Sequence, residues 1–181
     1  MIFESYSKNG LELKNRIVQS ALTRLRAEIK TGNPTPIMKE YYEMRAGGPG
    51  LIITEAVSIS PSSSKNVQSP GLYADRHVPL WREITDAIHA KGSKVIVELA
   101  HYGRIVHPDI AEGRQALCST ASTVKGQTRV YDGKKDFMPA REMIQADFEE
   151  VIKDFQEAAS RAKEAGFDGV EIHGAHGLLI A

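Results

Sequence analysis

Two histidines three residues apart, His173 and His176, stand just past a short apolar run, Gly169-Val170-Glu171-Ile172. Gly174 and Ala175 separate them, and such small residues let a backbone approach something flat or bulky. An imidazole can donate a hydrogen bond, accept one, or hold a proton near neutrality. Beyond the C-terminal end of a parallel strand, the two rings lie at the edge where α/β proteins place their chemistry. Polar side chains recur at comparable places along the chain: Thr23, Glu55, Glu98 and His101. Taken as metal ligands, His101, His107, His173, His176 and Glu98 would supply imidazoles and a carboxylate. The spacing His173-x-x-His176 is not the i, i+4 helical spacing of a zinc protease, and no metal is expected.

These groups need elements to hold them. Residues 1–15 read as a hairpin, with Asn9-Gly10 as a tight turn between Phe3–Ser7 and Leu11–Leu13. Arg16 to Gln19 is a short first core strand, followed by a polar loop to Pro36. Pro36 suits the first turn of a helix that Thr35 would cap, carrying Met38, Tyr41, Tyr42 and Ala46. Gly47-Gly48-Pro49-Gly50 stops it. Leu51-Ile52-Ile53-Thr54 has the pattern of a strand buried on both faces, with Glu55-Ala56 at its C-terminal end. After a loop at 59–71, a second helix is predicted over about 79–90, with Leu80, Trp81, Ile84 and Ile88 as its apolar stripe. Lys94 to Leu99 is the third strand. Residues 101–141 form a long excursion with little periodic pattern, as expected of a functional or disordered segment. A third helix over 146–164 places Phe148, Val151, Ile152, Phe155, Ala158, Ala159 and Ala162 on one face. Gly166 ends it, and Gly169 to Ile172 is the fourth strand.

Strands alternating with helices imply a parallel α/β sheet. It can be a doubly wound open sheet or a (β/α)8 barrel. No Gly-rich turn follows the first strand, which counts against a dinucleotide fold, and polar residues at every strand end fit a barrel mouth. A complete barrel takes about 250 residues. At 181 residues the chain is expected to be the N-terminal part of one barrel, domain 1–181, with Leu51–Ile53 and Val95–Val97 left exposed. The composition, 41% hydrophobic and 25% charged with zero net charge, suits a globular protein and gives no electrostatic case for nucleic acid or an anionic membrane. A single cysteine, Cys118, rules out an intrachain disulfide and suggests a cytoplasmic protein. There is no apolar run of membrane-spanning length and no signal-peptide core at the N-terminus.

The chain resembles the old yellow enzyme family of flavin-dependent ene-reductases. The matching stretches are Leu11 to Val18, Leu22 to Ala27, Tyr41-Tyr42 with Arg45-Ala46, Leu51 to Glu55, His101-Tyr102-Gly103-Arg104 and, most specific, Gly166 to Gly177 (GFDGVEIHGAHG). They run in order along nearly the whole chain. The resemblance implies a (β/α)8 barrel holding FMN at its mouth. NADPH or NADH would reduce the flavin, which would pass hydride to an electron-poor alkene or a quinone. It implies that His173 and His176 hydrogen-bond the substrate's carbonyl oxygen. Thr23 would contact the flavin and tune its electron affinity. Ala21, Leu22 and Ala56 would line the isoalloxazine ring, and His173 would also lie against the cofactor.

Three positions depart from the family pattern. Leu178 replaces a tyrosine that protonates the α-carbon, and leucine has no proton to give. Glu98 replaces a glutamine that pairs with the flavin's pyrimidine edge; an ionised carboxylate accepts but cannot donate. Ala100 replaces a bulky residue of the substrate pocket, which should enlarge it. The other possibility is a non-catalytic half-barrel that binds no FMN without a C-terminal half, or that folds as a homo-oligomer. Without the resemblance, Thr23 and Ala56 are equally well read as strand-end packing, Glu98 as the partner of a lysine or arginine, and Trp81 and Tyr41 as core.

Overall fold

The structure, a computed structural model, describes residues 1–181. It opens with the expected hairpin, β1 (Tyr6–Lys8) against β2 (Leu11–Leu13), antiparallel. Asn9 and Gly10 both have positive φ, 52° and 83°, as the tight turn requires. The first strand is shorter than expected and begins at Tyr6; Phe3 is exposed. The first core strand, β3, is only Val18–Gln19. Helix α1 (Pro36–Ala46) starts at Pro36 as expected. Thr35 does not cap it: its hydroxyl donates to the Arg26 carbonyl at 2.7 Å and ties down the preceding loop.

Strand β4 (Leu51–Ser58) runs twice as far as its apolar stretch, through Glu55 and Ala56. Helix α2 (His77–His89) and strand β5 (Lys94–Ala100) follow. The 101–141 excursion is ordered rather than structureless. It pairs β6 (Leu117–Cys118) with β9 (Arg141–Glu142) and builds an antiparallel hairpin from β7 (Gln127–Val130) and β8 (Gly133–Asp136). Its order comes from an apolar cluster of its own, in which Val106, Ala111, Ala116, Cys118 and Ala140 pack on Ala56, Ala100 and Leu178. Helix α3 (Gln145–Glu164) and strand β10 (Gly169–Ile172) complete the chain.

The core sheet is parallel, in the order β3-β4-β5-β10. Each crossover adds the next strand to the same edge. A doubly wound sheet reverses direction partway, so this order is the progression of a barrel wall. The helices follow suit, α1 packing on α2 and α2 on α3. The main core lies between helices and sheet. Val95, Val97 and Leu99 of β5 meet Trp81, Ile84 and Ile88 of α2, with Ala158, Ala162 and Phe167 closing the far side. Trp81 is fully buried, and its Nε1 donates to the Gly71 carbonyl at 3.0 Å. On α3 only one stripe of the predicted face is buried; Phe148 and Ile152 are exposed, because α2, β5 and β10 cover only the adjacent stripe of Val151, Ala158 and Ala162.

The expected exposure of Leu51–Ile53 and Val95–Val97 is seen only in part, at the half-buried Ile53 and Ile96. Leu51, Ile52, Val95 and Val97 are buried, and the exposed apolar strand residues are Val18, Val170 and Ile172 on the two outer strands. The N-terminal segment covers the entry to β4 so closely that a Cβ on Gly50 would lie 2.4 Å from the Asn15 carbonyl oxygen.

One irregularity re-aims a strand. Ile52 faces the helices, so Ala56 would share that face if β4 alternated unbroken. The register shifts between Ile53 and Ala56, after which Val57 faces the helices and Ala56 the opposite side. The backbone groups that the shift frees are satisfied locally. Glu55 N–H donates to the Tyr42 hydroxyl at 2.9 Å. The Thr54 hydroxyl donates to the Glu55 carbonyl at 2.9 Å and accepts Glu98 N–H at 3.3 Å. Removing the Tyr42 hydroxyl alone strands a buried N–H. Tyr42→Phe is therefore expected to cost about 1–3 kcal/mol, measured as a lower denaturant midpoint. An unchanged midpoint would remove Tyr42 from this role.

Candidate functional site

The C-terminal ends of the four strands surround a cavity of about 450 Å³, within the range of small-ligand pockets. Ala21 and Thr23 enter from the loop after β3, Ala56 from β4 and Glu98 from β5. His173, His176 and Leu178 enter after β10. Lys65, Tyr102 and Ile105 close the remaining side; none of the three was singled out as a site residue from the sequence. Their positions depend on the β4–α2 loop and on the start of the excursion, where no periodic pattern exists to read.

Each group is held by identifiable contacts. The loop carrying Thr23 is pinned by Glu55, whose Oε2 accepts Arg24 N–H at 2.8 Å and Leu25 N–H at 3.0 Å. Burial pushes the Glu55 carboxyl up, and the two amide bonds pull it back. Leu22, expected beside Ala21 and Thr23, is exposed and does not line the cavity.

His173 is anchored at both backbone and ring. Its N–H donates to the Leu99 carbonyl at 2.9 Å, and its Nδ1 lies 2.8 Å from Glu98 Oε1. His176 Nδ1 is 3.4 Å from His173 Nε2, with the two ring centroids 5.3 Å apart. Glu98 is thus partnered by an imidazole, not by a lysine or arginine. Burial raises the Glu98 carboxyl above its ordinary range, while the His173 ring opposes that shift. Burial, reinforced by the Glu98 and Glu55 charges, holds the Tyr102 phenol well above its usual range. Lys65 Nζ lies 5.1 Å from the Tyr102 ring centroid.

His176 has φ 63°, in the left-handed region, and Gly177 also has φ 63°. The chain therefore turns sharply there, which carries Leu178 back under the excursion. Gly103 makes that seat possible: a Cβ on it would lie 2.8 Å from the Leu179 amide nitrogen. His101 holds the turn that carries Gly103, its Nδ1 accepting Gly103 N–H at 3.0 Å, and burial lowers its pKa to about 4. His107 plays a similar part, accepting Asp109 N–H at 3.1 Å. His101 and His107 thus serve backbone turns, and no cluster of three or more His, Cys, Asp or Glu is arranged to hold a metal ion.

Ala100, expected in the substrate pocket, is not among the residues lining this cavity. It is fully buried in the excursion's apolar cluster.

The donor set fits a flat, polar-edged ring system. Small side chains, Ala21 and Ala56, form one part of the wall, Thr23 offers a hydroxyl, and Glu98 keeps Oε2 free of protein donors. The two histidines face the same space.

Residues 2–181 match the profile of the NADH:flavin oxidoreductase / NADH oxidase family. The chain is 42% identical over 182 residues to the chanoclavine-I aldehyde reductase fgaOx3 of Penicillium roqueforti, covering 99% of this chain and 47% of that protein. It is 40% identical over 176 residues to 12-oxophytodienoate reductase 1 of Oryza sativa subsp. japonica, covering 97% and 45%. Among solved structures it superposes on the old yellow enzyme homologue of Zymomonas mobilis with a TM-score of 0.92 at 39% identity, over 98% of this chain and 49% of that one. For morphinone reductase in complex with tetrahydroNAD the TM-score is 0.90 at 33% identity, over 98% and 50%. The chain spans about half the length of the curated relatives it matches.

Proposed function

Since the chain belongs to the NADH:flavin oxidoreductase / NADH oxidase family, we propose that it forms the FMN-facing and substrate-facing wall of an oxidoreductase that spends NADH or NADPH to reduce electron-poor alkenes or quinones. The observation that carries this reading is the convergence of His173, His176, Thr23, Ala21, Ala56 and Glu98 on one cavity at the strand ends. Ala21, Thr23, Ala56 and Glu98 would hold the flavin, with His173 at its edge. FMN, when bound, supplies the hydride.

The chain's own residues do the rest. His173 and His176 bind the substrate's oxygen and stabilise the charge that builds on it, as fixed donors in a part-buried site do. Thr23 presents its hydroxyl to the cofactor. Leu178, 5% exposed, contributes apolar wall and no proton. The remaining wall hydroxyls are those of Thr23 and Tyr102, and neither stands after β10 where a tyrosine at 178 would stand. The α-carbon of an alkene therefore takes its proton from water, whereas quinone reduction needs no carbon protonation.

Titrating the protein with FMN and following flavin fluorescence tests the reading directly. Saturable binding, followed by NADPH oxidation faster with a quinone than with 2-cyclohexenone, is the expected result. Protein that leaves flavin fluorescence unchanged would overturn it. Leu178→Tyr is expected to raise the enone rate about 10–100-fold with little effect on the quinone rate, as a placed general acid does. An equal change in both rates would remove position 178 from proton delivery.

A further inference from the structure

We propose that Glu98 is a positioning residue that makes the His173–His176 pair a hydrogen-bond donor only when the three-group chain carries one extra proton. This rests on the oxygen-binding reading of the two histidines given above.

The three groups are in line. Glu98 Oε1 is 2.8 Å from His173 Nδ1, and His173 Nε2 is 3.4 Å from His176 Nδ1. Glu98 and His173 are mostly shielded, with side-chain exposures of 10% and 14%, while His176 is open to the cavity. An ionised carboxylate can only accept. With both rings neutral, the proton between Glu98 and His173 therefore sits on Nδ1, and His173 Nε2 is a lone pair. His176 Nδ1–H donates to that lone pair, leaving its own Nε2 unprotonated. Every outward nitrogen is then an acceptor, and a carbonyl oxygen, also an acceptor, finds no donor.

One added proton reverses the polarity. It can rest on the imidazole, or on the Glu98 carboxyl with the ring proton moved to Nε2. In both cases an N–H faces the cavity, and the chain of three groups has no net charge. A glutamine at 98 has no such requirement. Its amide can turn either end toward Nδ1, so neutral rings can present a donor at any pH.

The groups facing His173 from its surroundings are few. Glu98 comes from β5, Glu171 lies on β10 itself, and His176 in the turn after it. Lys65 and Tyr102 stand on the opposite wall. Tyr102 stays protonated, so the charge that varies beside His173 is that of the Glu98–His173–His176 chain together with Glu171. Burial, which disfavours the Glu98 anion, helps hold the extra proton.

Long-range ¹H–¹⁵N NMR of the full chain labelled with [¹⁵N]histidine reads this out, with the His173 signals identified by their loss in His173→Gln. At high pH, wild-type His173 is expected as the Nδ1–H tautomer, and in Glu98→Gln as the Nε2–H tautomer. With FMN and NADPH present, KM for 2-cyclohexenone is expected to rise about tenfold per pH unit above the chain's titration in the wild type, and to stay level in Glu98→Gln. A neutral wild-type His173 protonated on Nε2, or the same tautomer in both proteins, would overturn the proposal. The wild-type tautomer alone decides if Glu98→Gln does not fold. The NMR result needs no flavin, so failure to bind FMN overturns the functional reading while the tautomer still settles the role of Glu98.

Discussion

Lowering the pH from about 6.5 to about 4 is expected to unfold the protein, because two buried histidines must take up protons that the fold refuses. His77 is fully buried, its Nε2 bonded to the Thr31 carbonyl at 3.0 Å and its Nδ1 accepting Ala74 N–H at 3.3 Å. Burial lowers its pKa to about 4, with the Arg76 and Arg161 charges adding to the effect and the Thr31 bond opposing it. His101 is similarly buried and also lowered to about 4. In the unfolded chain both titrate near 6.5. Below that pH the unfolded state binds more protons than the native state, so stability falls with pH until the native pKa is reached. Each histidine is worth about 3 kcal/mol over this window, and the pair about 6. Typical domains have only about 5–15 kcal/mol to lose.

Glu55, Glu98 and Asp154 work in the opposite sense, since their raised pKa values favour the native state as pH falls. Asp147 and Asp168, both lowered, add to the loss as the pH drops further. Far-UV circular dichroism and Trp81 fluorescence against pH check the expectation. A urea midpoint that does not fall between pH 6.5 and about pH 4 would show that neither histidine is kept neutral by burial.

His173→Ala is expected to lower kcat/KM for an enone by about 10²–10³, the usual cost of losing a preorganised oxyanion donor. The change does more than remove a donor. Glu98 keeps its buried place but loses its only side-chain partner, so its charge becomes costlier to maintain. FMN binding is expected to weaken far less than turnover, because Ala21, Thr23 and Ala56 are untouched. Steady-state NADPH oxidation with 2-cyclohexenone, alongside flavin fluorescence titration, separates the two effects. An unchanged kcat/KM would show that the substrate's oxygen lies elsewhere.

The elements most legible in the sequence are those with local causes. Asn9-Gly10 forms its turn because two positive φ angles are needed there. The valines of β5 and Ile52 of β4 are strand residues packed against the helices, and α2 follows its apolar stripe. The strand order of a barrel wall followed from alternation plus polar strand ends. What was not legible depends on distant partners. The register shift that aims Ala56 depends on Tyr42 and Thr54 satisfying its backbone. Ala100 looked like empty pocket until the excursion supplied Tyr102 and Val106 to cover it. Lys65 reaches the cavity from a loop with no pattern at all. Thr35 looked like a cap, but its hydroxyl donates to the Arg26 carbonyl and accepts no helix N–H.

The left-handed backbone at His176 has a consequence for how this site can be varied. A β-branched or bulky side chain is strained at φ 63°, while glycine, asparagine, aspartate and histidine tolerate it. The alphabet open to position 176 is therefore narrow before any substrate is considered. Within that alphabet only asparagine and histidine can both accept and donate. A natural lineage or a laboratory library drifting at this position would be steered back to those two residues by geometry first and by chemistry second.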